Sequence, residues 1–299
     1  MKTIQFVLIV LMSVNTVFSQ NLKPYILAIE TTESISEVKE KLIVNLEKNG
    51  IEISGQYQPA TDKNRWIIVF TSNELETAVS KIGGLTGFAA ALRIGITVEA
   101  GKTKISYTNP QYWGNAYFQD NFDKVSSNYA ILSAHLVNAM KATGTYLAKP
   151  YGSKDGLLAK DLREYHYMMG MPYFEETVKL AEFDSYNSAL AKIQANIKKT
   201  TPNVKLVYKI SIPGKELTLY GFALSGTSGE EKFLPIIDIG SPKHTAFLPY
   251  EILVKGKEVH MLHGRYRIAL SFPDLTMGTF SKIMSTPGNI EDLLKNLVK

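Results

Sequence analysis

The residues of this chain with the most obvious chemistry are five histidines and a knot of methionines. His260 and His263 stand three apart, a spacing that shares a face on a helix but not on a strand. Val259, Met261 and His263 alternate with His260 and Leu262, which predicts a strand and argues against joint ligation of a metal. The string His166-Tyr167-Met168-Met169-Gly170-Met171 is richer. Thioether sulfur is a soft ligand suited to Cu(I), so His166, Met168 and Met171 are the candidate ligands for copper or haem. The competing reading is packing. Asp155 can cap a helix that sets Leu158, Leu162, Tyr165 and Met169 on one buried stripe.

Nucleophilic chemistry has less to work with. Gly226-Thr227-Ser228-Gly229 lacks the spacing and the strand context of a nucleophile elbow and reads as a turn. Glu230 and Glu231 are adjacent and cannot face one another as an acid–base pair without help from the fold. Phosphate-loop, dinucleotide, H-E-x-x-H and EF-hand patterns do not occur. No catalytic residue and no cofactor is therefore identified. Aromatic side chains, most with a polar handle, crowd one hairpin exit around Asn109, at Tyr107, Tyr112, Trp113, Tyr117 and Phe118. Such side chains suit either a binding cleft or a buried contact between domains. With Tyr167, His263 and Arg265, the residues Tyr107, Asn109, Tyr112 and Trp113 form the candidate ligand-binding set.

Composition narrows the setting of that chemistry. A net charge of +5 over 299 residues is spread out, and Lys198-Lys199 is its tightest doublet. Nucleic-acid binders concentrate charge on a stripe, so that class of partner is not expected. Lys2, the apolar run Ile4–Met12, and Val17-Phe18-Ser19 before Gln20 make the n-h-c order of a signal peptide over residues 1–19. That run is too short to span a bilayer, and no later segment is long and apolar enough to do so. The expectation is a soluble periplasmic or extracellular protein, cleaved near Ser19/Gln20. With zero cysteines it has no disulfides, thiolate sites or lipid-anchor cysteine.

The elements that must position these residues follow from periodicity. Ser34 and Glu37 form a capping box, and Ile35, Val38, Leu42 and Leu46 make the stripe of the helix it opens. Gly50 ends that helix. Strands are expected at 51–57 and 66–70, a helix at 73–82, and a hairpin from Leu92–Val98 through Gly101 to Thr103–Tyr107. A second long helix spans 126–142. The same order returns from about residue 174, with a helix capped by Asp184 or Ser185, strands at 204–212 and 217–224, and a hairpin at 248–263. Leu92–Val98 aligns with Leu248–Val254 before a Gly-Lys turn in each. A terminal helix is expected over 289–297.

The first copy, residues 24–120, resembles the bacterial domain-of-unknown-function 302 family. The resemblance rests on the Ser34–Gly50 helix, the hairpin, and the string Ser106-Tyr107-Thr108-Asn109-Pro110-Gln111-Tyr112. It departs at Phe70-Thr71-Ser72-Asn73, where Phe-Gly-Asn-Pro is usual. In the second copy the nearest positions are His263-Gly264-Arg265-Tyr266. The resemblance implies an α+β fold, a tendency of domains to pair, and no known activity.

These readings give two tandem similar α+β domains, each a mainly antiparallel sheet packed with helices, at 22–145 and 172–299. A partly helical connector, 146–171, joins them. The function expected is a non-enzymatic binding or interaction protein of the cell envelope. The alternatives are a copper or haem handling protein, or an enzyme whose site only the fold assembles. Partners expected are a small molecule or an envelope component. The chain is expected to be a monomer with a pseudo-two-fold domain pair, or a weak homodimer.

Overall fold

A computed structural model describes residues 21–299 of the chain; the signal segment expected at 1–19 lies outside the described residues. The chain opens with β1 (Tyr25–Thr31) and then α1 (Ile35–Lys48). The Ser34 hydroxyl accepts from the Glu37 N–H, and the Glu37 carboxylate accepts from the Ser34 N–H at 2.8 Å. Two of the helix's orphan donors are thereby satisfied, which is worth about 1 kcal/mol. Val38, Leu42 and Leu46 form its buried stripe.

β2 (Ile51–Tyr57), β3 (Arg65–Ser72), α2 (Asn73–Ile82), β4 (Leu92–Glu99) and β5 (Lys102–Thr108) follow. Next come α3 (Pro110–Phe118), α4 (Ser126–Thr143) and β6 (Lys149–Tyr151). These strands form one antiparallel sheet in the order β2-β3-β4-β5-β1-β6. Two points differ from the sequence reading. The aromatic string after Asn109 is a helix, not a loop, and the connector contributes an edge strand to the first sheet.

The connector's helix is also shorter than periodicity predicts. α5 spans only Ala159–Arg163, with Leu162 buried but Met169 95% exposed, so the expected burial of Met169 is corrected. The remaining elements are β7 (Val178–Glu182), α6 (Tyr186–Lys198), β8 (Val204–Ser211), β9 (Leu217–Leu224), α7 (Glu230–Ile237), β10 (Tyr250–Lys255), β11 (Glu258–Met261), α8 (Gly264–Ser271), α9 (Met277–Ser281) and α10 (Thr286–Lys295). Their strands form a second antiparallel sheet, β7-β11-β10-β9-β8. Renumbered, this is the order β1-β5-β4-β3-β2 of the first sheet. The fold is α+β, two antiparallel sheets packed with helices.

The two halves share one continuous apolar core. Edge strands β2 and β8 abut, and each is bulged where they meet, at Ile53/Gly55 and at Leu206/Tyr208. The exchange elsewhere is reciprocal. The short 3-10 helical segment Gly84–Ala90, before β4, packs on β9 and β10 of the other sheet, with Gly87 against Leu253. Its counterpart Thr245–Phe247, before β10, packs on β3, β4 and β5, where Gly95 leaves room for Ala246. A Cβ at either glycine would meet the partner segment.

Polar contacts tie the same joint. The Glu251 carboxylate is buried between Arg93 of β4 and Arg267 of α8, and also accepts from the Tyr208 hydroxyl. Arg65 pairs with Asp238, and the Arg65 guanidinium donates to Thr245 Oγ1 at 2.6 Å. Glu230, 1% exposed, accepts from the Tyr57 hydroxyl (2.8 Å), Ala60 N–H (3.1 Å) and Leu224 N–H (3.2 Å). Burial raises its carboxyl to about 7, against the opposing pull of those donors. Among the described residues no helix is long and apolar enough to cross a membrane.

Candidate functional site

The helices that follow the two hairpins, α3 and α8, set most of the candidate side chains. Each opens on a side-chain cap. Asn109 Oδ1 accepts the Gln111 N–H at 3.2 Å, and His263 Nδ1 accepts the Arg265 N–H at 3.2 Å. An N-cap residue must accept from a backbone donor one turn in, and both side chains do so. His263 therefore lies beyond β11 rather than on it, while His260 stays in the strand and bonds Thr177 and Glu258.

The first-half candidates are all buried, and Tyr112 among them bonds the second half. Tyr107 is buried with its hydroxyl 2.7 Å from that of Tyr146, and burial pushes its phenol well up. Asn109 Nδ2 donates to the Lys23 carbonyl, and Trp113 Nε1 to the Pro24 carbonyl, both at 2.9 Å. Tyr112 donates to the Leu270 carbonyl (2.9 Å) and Tyr25 to the Ser271 carbonyl (3.1 Å), at the C-terminal end of α8. Helix ends leave such carbonyls unpartnered, and here the other half of the chain supplies the donors.

The connector and second-half candidates come together instead. Arg163 makes two bonds to the Asp123 carboxylate, at 2.6 and 3.0 Å, and donates to Asn115, which pins the connector against α3. Beyond it, the His166 ring stacks on Tyr173 with centroids 4.1 Å apart and planes 9° from parallel. His166 Nε2 lies 2.7 Å from the Met171 carbonyl, which can only accept, so Nε2 carries the proton. His166, Met171, Tyr173, Glu176, His263 and Arg265 line an open cleft of about 570 Å³.

Arg265 and Met171 also line a small apolar cavity of about 30 Å³ beside it, with Tyr167, Met277 and Phe280 among its walls. The Tyr167 hydroxyl donates to the Leu275 carbonyl at 3.0 Å and fixes one wall. Burial, and then the Arg265 charge, hold His263 below the ordinary imidazole value. Arg265 itself is exposed, and among the described residues its guanidinium makes no hydrogen bond or ion pair. An exposed cation thus stands at the junction of a polar cleft and an apolar cavity.

The metal candidates part company here. His166 and Met171 meet, but through the Met171 carbonyl rather than its sulfur, and Met168 is 42% exposed outside the cleft. Among the described residues no three His, Asp or Glu side chains are grouped to hold a metal ion. Tyr173 and Glu176, which complete the cleft, carried no sequence signal; their only mark was proximity to the methionine string.

Comparison with family models and with curated proteins finds no match. Among solved structures, the chain is similar to the crystal structure of uncharacterized conserved protein DUF302 from Bacillus stearothermophilus, at 16% identity and a TM-score of 0.35, over 39% of this chain and 96% of that one.

Proposed function

We propose that the chain is an exported, non-enzymatic binding protein, descended from a duplicated α+β domain, that holds a small amphipathic anion. The observation that carries this reading is the unpartnered Arg265 guanidinium at the mouth of the apolar cavity. An acid group would sit on Arg265, where charge-assisted bonds are the strong ones. The apolar end would lie along the cleft beside the stacked His166/Tyr173 pair, with at most a terminal methyl in the cavity of about 30 Å³. Export is supported by the n-h-c order of residues 1–19.

The test is calorimetric titration of the protein with octanoate. Arg265→Gln should weaken binding about tenfold, the loss of roughly 1.4 kcal/mol. Tyr173→Ala, which removes one face of the stacked pair, should weaken it independently. Equal affinity in wild type and Arg265→Gln would remove the reading.

A further inference from the structure

A second cleft, of about 540 Å³, shares Phe272 and Leu275 with the small apolar cavity but no residue with the Arg265 cleft, and falls within the roughly 300–1,000 Å³ range of small-ligand sites. Both halves build it: Lys23 and the segment Lys149–Ser153 on one side, the loop after α7 with His244 and the turn Phe272–Thr276 on the other. Most of its polar groups are already spoken for. Asp238 is taken by Arg65, Thr245 and the His244 N–H (2.6 Å). Asp274 accepts from the Ser153 hydroxyl (3.2 Å) and the Lys154 N–H (2.6 Å). Tyr151 donates to the Lys243 carbonyl (2.8 Å), Lys104 donates to Ser241 (2.8 Å), and Lys23 donates to the Lys154 carbonyl (2.9 Å).

Among the described residues, two side-chain groups of the lining make no hydrogen bond or ion pair. The Lys149 ammonium has no ion pair and no hydrogen bond, although it lines the cleft. The other is His244 Nε2. The imidazole is wedged between Phe272 (centroids 4.7 Å, planes 21° apart) and Tyr25 (5.0 Å), and its Nδ1 lies 3.1 Å from the Ser271 carbonyl. A carbonyl only accepts, so Nδ1 carries the hydrogen and Nε2 of the neutral ring presents a lone pair. Burial keeps the ring neutral by holding its pKa low. The carboxylates are consumed, a cation and a hydrogen-bond acceptor remain, and Ile236, Ile239 and Leu275 supply an apolar wall.

We infer that this cleft is a second binding site, distinct from the Arg265 cleft, for a hydroxylated carboxylate such as a sugar acid. Its carboxylate pairs with Lys149, a hydroxyl donates to His244 Nε2, and its C–H face lies on the aliphatic wall. A carboxylate without hydroxyls leaves Nε2 unmet, and a neutral sugar leaves Lys149 unmet.

The test follows the ring ¹⁵N signals of His244 while the full exported chain is titrated with D-glucuronate, D-glucose and propionate. Glucuronate should shift the Nε2 signal saturably, with glucose, which loses the charged contact, at least about tenfold weaker and propionate, which loses a neutral hydrogen bond, about fivefold weaker. Lys149→Gln, an exposed substitution that leaves the fold intact, should weaken glucuronate about fivefold or more. Arg265→Gln should leave this site's affinity unchanged, which separates it from the octanoate reading. Glucuronate that leaves Nε2 unmoved, or that binds Lys149→Gln as well as wild type, overturns the assignment. So does equal binding of glucose.

Discussion

Arg93 of the first sheet and Glu251 of the second meet as a fully buried ion pair, with side chains 0% and 1% exposed. Glu251 serves Arg267 as well, so one carboxylate answers two guanidinium groups. Arg93 Nε and Nη1 and Arg267 Nε have no partner among the described residues. Removing the shared acid and removing the surplus cation should therefore have unequal effects. Glu251→Gln strips both arginines and should cost about 3–5 kcal/mol in urea denaturation. Arg93→Met, similar in volume, deletes a poorly satisfied cation and should change stability by no more than about 1 kcal/mol.

Glu230 sets a pH dependence. Its carboxyl is raised from 4.5 to about 7 by burial, so the folded state holds a proton that the unfolded chain releases between those values. Stability from this group is full below about 4.5, falls as pH rises, and is lost above about 7, for a total of roughly 3 kcal/mol. In Glu230→Gln that slope should vanish. Denaturation of the two proteins at pH 4.5, 6 and 8 checks it; parallel curves would refute the assignment.

The carbonyls at the end of α8 offer an internal comparison. The Ser271 carbonyl receives both the Tyr25 hydroxyl and His244 Nδ1, whereas the Leu270 carbonyl receives the Tyr112 hydroxyl. Tyr112→Phe should therefore destabilise by about 1–2 kcal/mol and Tyr25→Phe by less, because an orphaned buried carbonyl costs more than one that keeps a donor. Thermal unfolding of both variants ranks them.

Gly221 is required by close approach. A Cβ there would run into the ring of Tyr208, whose hydroxyl bonds Glu251. Gly221→Ala should cost about 1–3 kcal/mol as overpacking. Because it also displaces that hydroxyl, its effect should be non-additive with Tyr208→Phe in a double-mutant cycle.

The parts of the fold that were legible in the sequence are those where a local rule acts alone. Ser34/Glu37 and Ser185 cap their helices, and the hairpins turn at Gly101 and Gly256 as alternation predicts. The helix α3 was not legible because it is buried all round, from Tyr112 through Phe118, and so shows no amphipathic stripe. β6 is three residues long with a proline, and edge positions alone tolerate that. The Arg265 cleft was half visible: His166, Met171, His263 and Arg265 drew notice singly, but only the fold brings residues about a hundred positions apart to one wall. The His244 cleft was invisible. What sets His244 Nε2 and Lys149 apart is that their neighbours are already bonded, and bonding partners separated in sequence leave no local pattern.

The reciprocal packing of Gly84–Ala90 and Thr245–Phe247 has a consequence for the covalent chain itself. Each half completes the other, while the connector passes through a solvent-facing segment at Met168 and Met169. A protease nick there should leave two fragments, one ending at Met169 and one beginning at Gly170, that migrate as one particle and separate only in denaturant. The backbone linkage then acts as a leash that raises the local concentration of two mutually dependent pieces, and the interlocked arms are the true fastening.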